Sequence, residues 1–310
     1  MGYTFRPAVR ENTPLIIGIS GPTKSGKTMS ALRLAHGIAG AGGVVAMINA
    51  EGPRGHQYAD TFKYVACDLE PPYRPTHYTE ALQAAATLNP AVVIIDSASH
   101  MHDGPGGILE WHEEELDRMA GTDARKRDRS TFAAWVKPKA AENQFIYAML
   151  GMQVPVILCF RAKEKIKIVK GQDPIDLGWQ PIVGERVAFE TLFTLMLPPY
   201  SQGIPDLAMS WMRAPFDVLV PKGRQLDEAL GQTLAAWAKG GQPSTSAPAE
   251  HDSFIADAIA GFEGMGTLGD AKALYERILR TPTWPILAKP QQAAVLQAKE
   301  IAKQRLTESA

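Results

Sequence analysis

Cysteine is scarce in this sequence: only Cys67 and Cys159 are present. Two thiols supply neither a zinc ribbon nor a disulfide framework, and the apolar run around Cys159 marks it as a small buried hydrophobe rather than a ligand. Long apolar runs are missing too, since none approaches the roughly 18 residues that a membrane helix needs. The N-terminal MGYTFRPAVRENTP has no apolar segment of the signal-peptide kind, and Arg6 stands where N-myristoylation requires Ser or Thr. A cytoplasmic protein without a membrane partner is therefore expected. Excess charge of either sign is also absent, with 32 Lys and Arg against 33 Asp and Glu. Any site for a polyanion must then be a local concentration of basic residues.

What is present is an ordinary globular composition. Hydrophobic residues make up 45% and charged residues 21%, which excludes a disordered chain or a coiled coil. At about 150 residues per domain, 310 residues leave room for about two domains. The apolar run 14–20 (PLIIGIS), followed at once by Gly21, reads as a buried strand. From Thr28, apolar residues keep helical spacing until Gly40, Gly42 and Gly43 stop the helix. Residues 44–50 (VVAMINA) read as the next strand, 78–88 as a helix closed by Asn89 and Pro90, and 91–95 (AVVII) as a strand ending at Asp96. Helical character follows over 132–152, then a strand over 154–160 and strand candidates at 191–197 and 217–220. Apolar strands alternating with helices imply an α/β fold with a mainly parallel sheet covered on both faces. A helix over 226–238 closes a first domain of residues 1–239. The Gly, Pro and Ser-rich stretch 240–252 reads as a linker, and 253–310 as a small helical appendage.

The chemistry concentrates on one edge of that sheet. Gly21, Pro22, Thr23, Lys24, Ser25, Gly26, Lys27 and Thr28 match the Walker A pattern G-x-x-x-x-G-K-[ST], between a predicted strand and a predicted helix that continues through Met29. Glycines let such a loop curl so that backbone N–H groups point inward, and the helix N-terminus favours an anion. Lys27 is then placed for the β- and γ-phosphates and the Thr28 hydroxyl for Mg²⁺. Asp96, ending the run AVVIID, fits Walker B as the second Mg²⁺-holding group. Glu51 directly follows the strand VVAMINA at the same edge, where its carboxylate would orient or deprotonate an attacking water, unless it is a solvated strand-end charge.

The order GPTKSGKT, MINAEG, VVIIDS resembles the RecA-like branch of P-loop ATPases. GPTKSGKT, ALRLAHGIAGAGG, VVIIDSASH and GGILEWHEE are also similar to bacteriophage-encoded ATPases of the AAA-type domain family that includes RecA-like single-strand annealing proteins. The resemblance covers about residues 14–222. It implies a RecA-like core that hydrolyses ATP with Mg²⁺ and uses Glu51 to activate water. It further implies a ring or filament of identical protomers with ATP at their interface, action on single-stranded DNA in the cytoplasm of a bacterial host, and a single-strand-binding protein or another phage replication or recombination protein as partner.

Further residues carry alternatives. Arg161 follows the strand 154–160 where RecA-like enzymes place a γ-phosphate sensor; a solvated strand-end Arg explains it equally. Residues 161–170 hold Arg161, Lys163, Lys165, Lys167 and Lys170 against the single acid Glu164. In RecA-like assemblies such lysines act on a neighbour's ATP, which makes Lys163 and Lys165 candidates; the alternative is an edge hairpin whose lysines face solvent. Residues 118–142 carry Arg118, Arg125, Lys126, Arg127, Arg129, Lys137 and Lys139 against three acids, with Phe132 and Trp135 among them. Cations interleaved with rings suit single-stranded nucleic acid, and a solvated loop entering an ordinary helix with Trp135 in the core explains the same residues. His100, His102 and His112, in a loop-like segment, are better read without a metal, with His100 as a polar lining residue of the nucleotide site. The competing functions are a DNA-independent motor or loader ATPase, a small-molecule kinase, and a nucleotide-gated adaptor.

Overall fold

The computed structural model describes residues 15–168, 173–240, 249–281, 284 and 289–308. The chain forms two compact units, residues 1–241 and 242–310. In the first, seven strands lie in the order β3-β2-β4-β5-β1-β7-β8, with β6 paired to β5 alone. Strands β1 (Ile16–Gly21), β2 (Val45–Asn49), β3 (Val65–Asp68), β4 (Val92–Asp96), β5 (Val156–Lys167) and β7 (Phe193–Met196) are mutually parallel, while β6 (Ile175–Pro181) and β8 (Asp206–Trp211) run antiparallel to their neighbours. This is the expected α/β fold with a mainly parallel sheet.

Strands β1, β2 and β4 are buried along their whole length, which is why they read as unbroken apolar runs rather than as alternation. On one face lie α1 (Lys27–Ala39) and α9 (Glu228–Ala238), contributing Leu32, Leu34, Leu230 and Leu234. The other face is covered by α2 (Pro75–Ala86) and α6 (Val136–Leu150), where Tyr78 and Phe145 meet edge to face at 6.1 Å. Because the strands are parallel, their C-terminal ends form one edge. The register sets Gly21 beside Arg161, Asn49 beside Asp96, and Asp96 beside Cys159. Strand β5 lies between β1 and β4, so the loop after β1 and the carboxylate ending β4 face each other across one strand.

Several elements differ from the sequence reading. The strand expected over 154–160 does not stop at Phe160 but continues to Lys167 as one arm of a hairpin with β6. This arm is the edge hairpin that the sequence offered as the alternative for the lysine-rich segment, its ladder completed by a partner strand farther along the chain. Residues 217–220 are not a strand: Phe216–Leu219 form a single helical turn, α8, after Pro215. Packing decides that case, since Phe216 sits between Phe193 at 4.8 Å and Trp237 at 4.7 Å. The segment around the histidines is not a loop either, for it forms α3 (Ser99–Asp103) and α4 (Ile108–Ala120). Basic residues 124–134 are helical as well, as α5, with the Asp123 side chain accepting a hydrogen bond from Lys126 N–H as cap. A short α7 (Glu185–Phe189) follows β6.

The second unit packs α10 (Ala249–Glu263), α11 (Leu268–Leu279) and α12 (Lys289–Glu308) around Phe262, Leu274, Ile278 and Val295. Helix α10 begins inside the stretch 240–252 that reads as a linker. No helix among the described residues is long and apolar enough to cross a membrane.

Candidate nucleotide-binding site

Between β1 and α1 the chain curls into a loop that needs two left-handed residues, Lys24 with φ 66° and Gly26 with φ 98°. At Gly26 a side chain has no room, since its Cβ would come within 2.9 Å of the Gly203 nitrogen. The turn 201–203 backs the loop: Gly203 N–H and the Ser201 hydroxyl donate to the Ser25 carbonyl at 3.1 and 3.3 Å. No side chain caps α1, which leaves the N–H groups of its first turn for an anion.

The candidate side chains converge in front of that helix end. The Lys27 ammonium donates to the Pro22 carbonyl at 2.8 Å, and the Thr28 hydroxyl donates to Asp96 Oδ2 at 2.6 Å. Asp96 is buried, and burial raises its pKa against the opposing effect of the Thr28 hydrogen bond. Burial likewise lowers the Lys27 pKa, with the Asp96 carboxylate pulling the other way. Cys159, next to Asp96 in register, is buried, and its thiol is pushed well above the ordinary range. It is therefore inert beneath the site, as the apolar run around it implied.

Glu51 follows β2 and stands half-buried at the same edge, with Oε1 3.9 Å from His100 Nδ1. His100 Nδ1 also meets the Ser97 hydroxyl at 2.7 Å, and its ring lies 4.9 Å from that of Tyr73. Burial first and the Arg161 charge second lower the His100 pKa, so the imidazole is neutral at pH 7. Arg161 reaches the edge from β5 and binds Asp103 at 3.1 Å, while its Nε is buried without a partner. The Ser99 hydroxyl accepts from Arg161 N–H at 2.8 Å and donates to the Ile182 carbonyl at 2.6 Å, tying the segment after Asp96 to the root of the hairpin.

Other candidates lie elsewhere. Lys163 and Lys165 are exposed on the hairpin arm, with Lys163 opposite Gln180; Lys170 falls outside the described residues. Within 118–142, Arg118 and Lys137 pair with Glu115, and Arg127 pairs with Glu113 and Asp117. Arg125, Lys126 and Arg129 are exposed on α5. Trp135 is partly buried and stacked on His112 at 4.1 Å, with Lys139 over its ring, whereas Phe132 is 88% exposed. Among the described residues no three His, Cys, Asp or Glu side chains converge to hold a metal. A cleft of about 940 Å³, walled by Val183, Phe189 and Trp211, includes no residue of the loop, Glu51 or Asp96, so side-chain chemistry and not cavity size marks the site.

Sequence reasoning passed over Asn49, Tyr73 and Ser97. The available signal was an amide in an otherwise apolar strand: Asn49 is buried at the end of VAMIN and bonds to the Glu51 backbone.

No family model and no curated protein matches the chain. Among solved structures, it is similar to the KaiC-like protein PH0186 from the hyperthermophilic archaeon Pyrococcus horikoshii OT3, at 13% identity and a TM-score of 0.30, over 61% of this chain and 80% of that one. The strand order, the register at the sheet edge and the loop before α1 make this chain an α/β protein with a mainly parallel sheet and a Walker A-type loop at its C-terminal edge.

Proposed function

We propose that the protein is a phage-encoded, Mg²⁺-dependent ATPase that acts on single-stranded DNA in recombination or annealing. The observation that carries the reading is the meeting of Thr28 with buried Asp96 at 2.6 Å, beside Lys27 and an uncapped helix N-terminus, with Glu51 on the same edge. This donor set fits Mg²⁺ with a nucleoside triphosphate: a hydroxyl and a carboxylate for a hard cation, and an ammonium and free N–H groups for phosphate oxygens. Thr28 and Asp96 would hold Mg²⁺, which would neutralise phosphate charge there.

The chain's own residues then divide the work. Lys27 exchanges the Pro22 carbonyl for phosphate oxygens, and Thr28 and Asp96 hold the cation. Glu51 orients a water and accepts its proton as the water oxygen bonds to the γ-phosphorus and the bond to the β-phosphate oxygen breaks. His100 stands beside the Glu51 carboxylate, 3.9 Å away, with its own pKa lowered by burial and by the Arg161 charge. Arg161, with an unpartnered Nε, is the γ-phosphate sensor, and Lys163 or Lys165 serves the site of a neighbouring protomer in a ring or filament.

For DNA, the support is the exposed group Arg125, Lys126 and Arg129 with Phe132 on α5, three cations and a ring for backbone and bases. A second reading, a DNA-independent loader or adaptor, is favoured by the ion pairs of Arg118, Arg127 and Lys137, which cancel part of the local charge. ATP hydrolysis with and without single-stranded DNA, at two salt concentrations and with Lys27→Ala as blank, separates the two. Salt-sensitive stimulation is the expected result. Turnover indifferent to DNA, with no DNA binding in nucleotide, would leave the loader or adaptor.

A further inference from the structure

The carboxylate assigned as base sits on a two-residue link, Ala50 and Glu51, between β2 and a 3-10 turn, Gly52–His56. What holds it is Asn49. This side chain is fully buried, and all of its hydrogen-bonding groups are used on or near that link. Oδ1 accepts from Glu51 N–H at 3.1 Å, while Nδ2 donates to the Gly52 carbonyl at 2.7 Å and to Asp68 Oδ1 at 2.6 Å. The amide orientation is fixed by chemistry: a flipped Asn49 would turn its oxygen onto two acceptors and its NH₂ onto a donor.

The surroundings support this grip from both sides. Asn49 is opposite Asp68 in the β2–β3 register and opposite Asp96 in the β2–β4 register, so one residue links the base, the cation-holding carboxylate and the neighbouring strand. Asp68 is itself held by His56 Nε2, at 2.9 and 3.0 Å from its two oxygens. The turn closes tightly onto the amide, since a Cβ on Gly55 would approach Asn49 Oδ1 to 2.2 Å, and the Tyr64 hydroxyl holds the Gly55 carbonyl at 2.6 Å.

We propose that Asn49 is the positioning residue for Glu51, and that Asp68 and His56 form the outer part of the same clamp. Asn49 does not touch the reacting atoms. It sets where the Glu51 carboxylate stands relative to Lys27 and Asp96, and thereby the rate of proton removal rather than the affinity for nucleotide. The inference rests on the reading of Glu51 as the base.

The test uses the full-length protein and four measurements: ATP turnover, ATP affinity, thermal melting, and hydrogen exchange at the Glu51 amide. Asn49→Ala is expected to lower kcat by about ten- to a hundredfold, the scale of a small misplacement of a catalytic group. Its ATP Kd should stay within about twofold, because uniform binding is untouched. The Glu51 amide should exchange faster even without nucleotide. Asp68→Ala should lose rate in the same direction, and Asp68→Asn, which keeps the acceptor for Asn49, should recover most of that loss. Added to Glu51→Gln, Asn49→Ala should cost nothing further, which a general structural defect would not reproduce.

A folded Asn49→Ala with wild-type kcat overturns the inference, as does an undiminished effect in the Glu51→Gln background. Should Asn49→Ala fail to fold, Asp68→Ala with unchanged kcat and unchanged Glu51 amide exchange overturns it instead. Full hydrolysis by Glu51→Gln would remove the base itself; failure of the clamp alone leaves Glu51→Gln inactive and both alanine variants at wild-type rate.

Discussion

A buried carboxylate with a single hydrogen-bond donor should cost the fold something, and Asp96→Asn measures that cost. Asp96 has one hydrogen-bond donor in the site, the Thr28 hydroxyl, and the nearest cation, Lys27, is engaged with the Pro22 carbonyl. Burial therefore dominates and raises the Asp96 pKa. A carboxylate whose folded pKa exceeds its unfolded pKa destabilises the fold at every pH above the unfolded value, and the cost fades as pH falls through the folded value. Asparagine keeps the shape and an acceptor for Thr28 while removing the charge. Relieving a poorly solvated charge of this kind is worth about 1–3 kcal/mol. At roughly 2–4 °C per kcal/mol for a unit of this size, the melting temperature should rise by about 2–12 °C. Melting is followed by calorimetry without nucleotide or metal, at neutral pH and at falling pH. The variant should melt above the wild type at neutral pH, and the gap should narrow as acid is added. Mg²⁺ with ATP should stabilise the wild type and lose that effect in the variant. A variant that melts well below the wild type without ligand would refute the reasoning, because the carboxylate would then be a net stabilising group.

Gly26→Ala should lower the melting temperature by several degrees and remove ATP binding, since a left-handed residue costs about 1–2 kcal/mol and the new methyl meets Gly203; an unchanged ATP titration would count against the loop geometry. Reversing charge at Arg125, Lys126 and Arg129 should weaken single-stranded DNA binding and flatten its salt dependence, as read from binding isotherms at several salt concentrations. Arg127→Glu is a different perturbation, for it places three acids together at Glu113 and Asp117, and melting rather than the salt slope should report it.

The parts legible in the sequence are those whose cause is local or repetitive. Strands buried on both faces leave runs such as LIIGIS and VVII, and the phosphate loop is written in contiguous residues whose left-handed Gly26 has no substitute. Asp96 and Glu51 could be placed because parallel strands must end at one edge. The β5–β6 hairpin was legible only as the alternative reading of the lysine-rich segment, because its ladder joins residues such as Ala162 and Pro181 that lie far apart in sequence. Trp135, interleaved with basic residues, resembles a base-stacking platform until its stacking on His112 is known. Asn49 escaped for a similar reason: its partner Asp68 becomes a neighbour only once β2 and β3 are known to pair.

The decisive measurement is ATP binding and turnover by Glu51→Gln beside wild type and Lys27→Ala. If Lys27, Thr28 and Asp96 hold the nucleotide and its cation while Glu51 activates water, Glu51→Gln binds ATP with wild-type affinity and loses turnover by about a hundredfold or more, the scale of general base catalysis. Lys27→Ala should lose both. Wild-type turnover by Glu51→Gln would contradict the assignment of the base, and wild-type binding and turnover by Lys27→Ala would contradict the site itself.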